Sequence, residues 1–211
     1  MPSREEIYDA LCLRHGAELQ EKISSASVAV CGLGGLGSNI AVMLARSGIG
    51  RLHLIDFDMV EISNINRQQY MLDQIGLYKT EALKDTLRKI SPYIRIDTDT
   101  VKITESNAEE LLEDDGIICE AFDSAEEKAM LADIVLCSMP EKYLIAGSGM
   151  AGISSANDIV TEKITGRFYI CGDQQSDIIS CGKGLFAPRV TVCAAHQANA
   201  VLQIIAGETD L

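Results

Sequence analysis

Several charged residues stand at spacings that could handle a phosphate chain. Arg67 and Lys79 follow an acid at Asp56, Arg14 lies near the start of the chain, and Asp123 lies further on. A triphosphate carries roughly four negative charges, whereas a helix N-terminus offers only about half a positive one. Such a ligand needs cations, and each close pair contributes on the order of 4 kcal/mol at an effective dielectric near 20. The forked guanidinium of Arg67 suits phosphate geometry. Asp123 could hold Mg²⁺ against the phosphates through one carboxylate and several waters. Lys79 is expected at a helix start, where a cation opposes the macrodipole and so favours an anionic ligand nearby. This collection of charges points to phosphoryl or nucleotidyl chemistry; hydride transfer would not need it.

Positioning those groups takes a particular set of elements. The apolar run Val28-Ala29-Val30-Cys31 leads into Gly32-Leu33-Gly34-Gly35-Leu36-Gly37, and a helical pattern with Ile40 and Leu44 one turn apart leads out. Strand, glycine turn and helix in that order make a phosphate-binding corner. There Gly32, Gly34, Gly35 and Gly37 let backbone N–H groups approach the ligand. Leu52 to Ile55 reads as the second strand, and Asp56 closes it where an acid can accept ribose hydroxyls. Asp58 is given a binding role beside it. The run from Asp56 to Tyr70, including Asn64, is too polar for core. Lys79 then opens a helix whose apolar face is Leu83, Leu87 and Ile90, stopped by Ser91-Pro92.

Ile94 to Val101 alternates as a third strand, and Gly116 to Phe122 reads as a fourth, buried one that delivers Asp123 to the edge holding the glycine corner. A helix through Met130 to Leu136 and a fifth strand, Tyr143 to Gly147, follow. Residues 148–183 are rich in turn chemistry with one plausible strand, Arg167 to Cys171, and are expected to form a long functional loop. Ala187-Pro188 opens a last helix, with Val192, Ala195, Ala198, Leu202 and Ile205 as its buried face, and Gly207 ends it. Residues 5–23 read as a helix interrupted at Gly16, with Arg14 on the face of Ile7 and Leu11. The acidic pair Asp114-Asp115 reads as a solvated turn, and His53 and His196 as structural.

The 211 residues, 47% hydrophobic and 23% charged, suit one globular α/β domain. A formal net charge of −13 repels nucleic acid and anionic membranes, so neither is expected as a partner. No apolar run approaches the ~20 residues of a membrane span, and the N-terminus lacks an apolar signal core, so a cytoplasmic protein is expected. The seven cysteines form no C-x-x-C pair, which argues against a disulfide framework or a paired-knuckle zinc site.

The series Gly32-x-Gly34-Gly35-Leu36-Gly37, Asp56-Phe57-Asp58, Ser63-Asn64-Ile65-Asn66-Arg67-Gln68-Gln69, Gly76-x-x-Lys79 and Asp123 resembles the ThiF/MoeB/HesA family, relatives of the ubiquitin-activating enzymes. Arg14-His15-Gly16, Ala187-Pro188-Arg189-Val190 and Ala194 to Asn199 look most like its short ThiF branch of thiamine biosynthesis. The resemblance implies a single domain over 1–211. Its expected architecture is a Rossmann-like, mostly parallel sheet with helices on both faces, an N-terminal helical arm (1–24), a crossover loop (148–183) and a C-terminal helix. It implies ATP and Mg²⁺ but no zinc, and adenylation of the C-terminal glycine carboxylate of a small ubiquitin-like sulfur carrier. Molybdopterin or another sulfur pathway remains open beside thiamine, and an NAD-type binding protein or a non-catalytic module are the other classes. Asn64, Arg67 and Lys79 match phosphate-stabilising residues, Asp56 the ribose acid and Asp123 the Mg²⁺-linked aspartate. Arg14 matches an arginine donated across a homodimer, and Cys181 a cysteine that some relatives use covalently.

Overall fold

In β1 (Ser27–Cys31), Val28 and Val30 face one helical layer while Ala29 and Cys31 face the other. Both sides are apolar because the strand is central and covered on both faces. The computed structural model describes residues 1–177 and 184–209. Within them β1 joins β2 (Arg51–Ile55), β3 (Arg95–Asp99), β4 (Ile117–Glu120), β5 (Tyr143–Gly147), β6 (Val160–Thr165) and β7 (Phe168–Gly172) in one seven-stranded sheet, ordered β3-β2-β1-β4-β5-β7-β6. Every pairing is parallel except the β6–β7 hairpin at one edge. The order reverses between β1 and β4, and the C-terminal ends beside such a switch point are where ligands bind in open α/β sheets.

The helices are α1 (Arg4–His15), α2 (Ala17–Ser25), α3 (Gly35–Arg46), α4 (Lys79–Ile90), α5 (Ala108–Leu111), α6 (Ala125–Ser138) and α7 (Ala187–Ala206). The core on one face gathers Ile40 and Leu44 of α3, Leu83 and Leu87 of α4, and Val201 of α7. The other gathers Ala108 of α5 and Leu131 and Val135 of α6. The expected Rossmann-like architecture, with a C-terminal helix, is therefore present. Gly16 divides α1 from α2 at φ +85°, as the interrupted helix required. No described helix is long and apolar enough to cross a membrane.

Three expectations need correcting. The stretch 148–183 holds two strands rather than one: the expected strand at Arg167 to Cys171 is β7, which extends the main sheet beside β5, and β6 pairs with it as a hairpin. β6 escaped notice because Val160-Thr-Glu-Lys-Ile-Thr165 is an exposed edge strand with no apolar face to alternate. The buried face of α7 is rotated from the expected one: Ala198 is buried as expected and Val192, Leu202 and Ile205 are half-buried, but the face runs through Val190, Cys193, Ala194, Gln197, Val201 and Ile204. Gln197 can be buried because its Nε2 donates to Glu120 O at 2.9 Å and Ile145 O at 3.1 Å.

The third correction concerns Asp115, which is fully buried rather than solvated. Its Oδ1 accepts from Arg51 Nη1 at 2.6 Å and Ser27 Oγ at 2.7 Å, and its Oδ2 lies 2.7 Å from His53 Nδ1. His53 Nε2 lies 2.8 Å from Asp99 Oδ2. A buried acid survives only when paired in this way.

Candidate functional site

The glycine corner is built by steric necessity. Gly32 turns at φ +89°, where a side chain is strained, and a Cβ there would stand 2.9 Å from Ala121 O. A Cβ on Gly37 would collide with Gly32 O, so α3 can start this close to β1 only with glycine. Gly34 N-caps α3 without a side-chain cap, and Gly35 opens it. The orphan N–H groups of that first turn are the kind of donors that can hold an anion at a helix start.

The polar run after β2 folds over this corner. Asp56 is nearly buried; its Oδ2 accepts from Leu33 N at 2.6 Å and its Oδ1 from Asp58 N at 2.8 Å. Asp56 thus ties the glycine turn to the end of the second strand. Burial pushes the Asp56 carboxyl above its usual range, opposed by Lys79 and by those two N–H donors. Lys79 is only 6% exposed, with Nζ 2.7 Å from Asp58 Oδ2 and 3.7 Å from Asp56 Oδ2. The structure therefore brings Asp56, Asp58 and Lys79 together beside Leu33.

Arg67 lies over the start of α3, its Cγ 3.6 Å from where a Gly35 Cβ would stand. Its Nη1 donates to Ser63 O at 3.0 Å and Asn66 Oδ1 at 2.9 Å. Its buried Nε has no hydrogen-bond partner among the described residues, so one donor at the corner is unsatisfied. Asn64 Oδ1 accepts from Glu61 N at 3.0 Å and so shapes the loop that carries Arg67. Asp123 is exposed, just past β4 and next to the Ala121–Phe122 segment that abuts Gly32.

Arg14 is not brought to this cluster within one chain. It sits exposed in the last turn of α1. Leu11 of that helix packs on Gly48, beyond the C-terminal end of α3, about 18 Å of helix away from Gly35. Cys181 lies outside the described residues.

Supporting residues were harder to foresee. Gln68 is buried against Gly34, and its Oε1 has no partner among the described residues. Tyr70 OH donates to Leu33 O at 2.8 Å. Asn39 Nδ2 donates to Gly35 O at 2.7 Å and Arg67 O at 3.1 Å, and its Oδ1 accepts from Gln69 Nε2 at 2.7 Å. Gln68 and Tyr70 follow Arg67 in the polar run, and that adjacency is the signal that could have marked them. Asn39, an amide inside a glycine-led helix, gave a weaker one.

The histidines make structural bonds: His196 Nδ1 lies 2.9 Å from Thr161 Oγ1, and His15 Nδ1 lies 2.7 Å from Gln20 Oε1. Burial pushes the thiols of Cys31, Cys119 and Cys193 well up, Cys171 to about 11, so these four are packing groups rather than nucleophiles.

Known proteins are similar to this chain in sequence and in fold. An adenylyltransferase and sulfurtransferase MOCS3 from Aedes aegypti is 32% identical over 200 residues, covering 92% of this chain and 45% of its own length. A ubiquitin-like modifier-activating enzyme 5 from Caenorhabditis elegans is 49% identical over 84 residues, 40% of this chain and 20% of its own. The chain spans under half the length of the curated relatives it matches. The fold of E. coli tRNA N6-threonylcarbamoyladenosine dehydratase, TcdA, solved in complex with ATP, superposes with a TM-score of 0.86 at 22% identity, covering 99% of this chain and 98% of that one. The ThiF family model matches residues 8–211, and with the glycine corner and its charged cluster on one sheet edge, the chain belongs to the ThiF family.

Proposed function

We propose that this chain is an ATP-dependent adenylyltransferase that activates the C-terminal glycine carboxylate of a small ubiquitin-like sulfur carrier. The observation that carries the reading is the buried, unsatisfied Nε donor of Arg67 over the N-terminus of α3, on the edge that also holds Asp56 and Lys79. The phosphates of ATP would lie at the first turn of α3, with the ribose on Asp56. Arg67, Lys79 and Asn64 would take phosphate charge, and Asp58 would steady Lys79. Asp123 offers one carboxylate on the same edge, the donor that Mg²⁺ takes when phosphates and waters fill its other positions; there the ion would offset charge on the leaving pyrophosphate.

In the reaction a carboxylate oxygen of the carrier forms a bond to the α-phosphorus. The bond from that phosphorus to the β-bridging oxygen breaks, its electrons leave with pyrophosphate, and a carrier acyl-adenylate remains. No general base is needed because the attacking carboxylate is already ionised. The protein's contribution is positioning and charge stabilisation.

The motifs Arg14-His15-Gly16 and Ala187-Pro188-Arg189-Val190 favour a ThiS-like carrier and thiamine biosynthesis. Identity to adenylyltransferase-and-sulfurtransferases supports the sulfur-carrier class and favours, as a second reading, another sulfur-transfer route. Competition between carriers for exchange would separate the two. Arg14 is assigned to the partner's site in a homodimer, since its own corner lies at the far end of α3.

The test is ATP–pyrophosphate exchange with a carrier ending in Gly-Gly. Carrier-dependent exchange is expected, with Arg67→Ala lowering it at least about a hundredfold at an unchanged melting temperature. Nucleotide binding without carrier-dependent exchange would overturn the reading.

A further inference from the structure

Arg189 is 3% exposed, yet nothing in the reaction above uses it. It stands in the first turn of α7, where a cation opposes the helix dipole. Burying it unpaired would be prohibitive. It is held instead by an ion pair between its Nη2 and Asp173 Oδ2, and its Nη1 donates to Ser155 O at 2.7 Å. Asp173 is engaged further: its Oδ1 accepts from Gln175 N at 2.9 Å and Ser176 N at 2.8 Å. Asp173 N donates to Gly149 O, and Gln174 N to Ser148 O, both at 3.0 Å. One guanidinium therefore ties residues 148–155 to residues 173–176.

The tied segments border the phosphate corner. Val190, the next residue, abuts Gly35 at the start of α3. Leu185 O accepts from Asn66 Nδ2 at 3.2 Å, the same side chain whose oxygen holds Arg67. Gly152 N donates to Gly184 O at 2.8 Å. On the β2 side, residues 56–79 already cover the corner, with Asp56, Arg67 and Lys79 among them. The opposite flank of the corner, on the β5–β7 side, is bordered by 148–155 and 173–176.

We infer that the Asp173–Arg189 pair is a positioning element for the C-terminal tail of the protein substrate, fixing the two segments that the tail must pass to reach the α-phosphate. The inference rests on the adenylyl-transfer reading above. Arg189 touches neither reacting group; it acts through the backbone of 148–155 and 173–176. Its removal should therefore weaken use of the carrier while leaving ATP binding alone, because a loosened wall raises the ordering cost of the tail and not of the nucleotide.

The test compares Arg189→Met, which keeps the apolar stem and removes the fork, with Asp173→Asn. The asparagine keeps the Oδ1 acceptor for Gln175 and Ser176 and loses the charge facing Arg189. The probe is a ubiquitin-like protein ending in Gly-Gly, and the readouts are carrier KM, kcat and the Kd for ATP. Both variants are expected to raise carrier KM at least about tenfold while the Kd for ATP stays within about twofold. If Arg189→Met melts before assay temperature, Asp173→Asn decides alone. An unchanged carrier KM in a folded variant, or ATP affinity lost in step with it, would overturn the inference. No carrier-dependent exchange in the unsubstituted protein would overturn the adenylyl-transfer reading, and this role with it, before any variant is made.

Discussion

His53 lies between two carboxylates, with Asp115 on Nδ1 and Asp99 on Nε2. Burial works against its charge, but the hydrogen bonds to Asp115 and Asp99 and their negative charges outweigh it and hold the imidazolium above the ordinary histidine range. A pKa raised on folding stabilises the protein fully below the unfolded value of 6.5, and the contribution is lost as pH rises through the folded value. Urea midpoints should therefore fall as pH rises above about 6.5, and fall less in His53→Gln. Equal slopes in the two proteins would remove His53 from the pH dependence. At the corner, Gly37→Ala should abolish ATP binding, since its methyl would drive α3 off Gly32; calorimetric titration checks this. Gly37 was legible because its spacing is local. Asp115 was not, because its partners Arg51 and His53 lie 64 and 62 positions away in the chain.

Helix α7 shows what can be read of an element and what cannot. Pro188 near its start and Gly207 in the left-handed region at its end announce its bounds from residue type alone. Its rotation depends on two polar side chains that sequence reasoning turns outward, Arg189 and Gln197. Each is buried because tertiary partners wait for it, Asp173 for the one and the carbonyls of Glu120 and Ile145 for the other. Gln197→Ala should cost about 1–3 kcal/mol, because two carbonyls, one at the end of β4 and one in the middle of β5, lose their donor. Urea unfolding measures it, and a cost near zero would contradict the assignment. β6 stayed hidden for the opposite reason: it is an exposed edge held by its hairpin pairing with β7. The parallel strands β1, β4 and β5 were legible because burial on both faces makes them nearly continuous apolar runs.

At the scale of the whole molecule, the charged cluster on the C-terminal sheet edge and Arg14 lie at opposite ends of α3. If Arg14 completes the partner's site, a mixture of Arg14→Ala and Lys79→Ala chains, each inactive alone, should recover about a quarter of the activity through mixed dimers. No recovery would place Arg14 outside the partner's site. The central claim, however, is that a carrier carboxylate attacks the α-phosphate of ATP held at Gly32–Gly37. The most direct measurement starts with a carrier whose C-terminal carboxylate is labelled with a heavy oxygen isotope, and cleaves the activated product with hydroxylamine. The label is expected in AMP, because the bridging oxygen comes from the carrier and stays on the α-phosphorus. Label found in pyrophosphate or inorganic phosphate, or AMP formed without label, would contradict that claim.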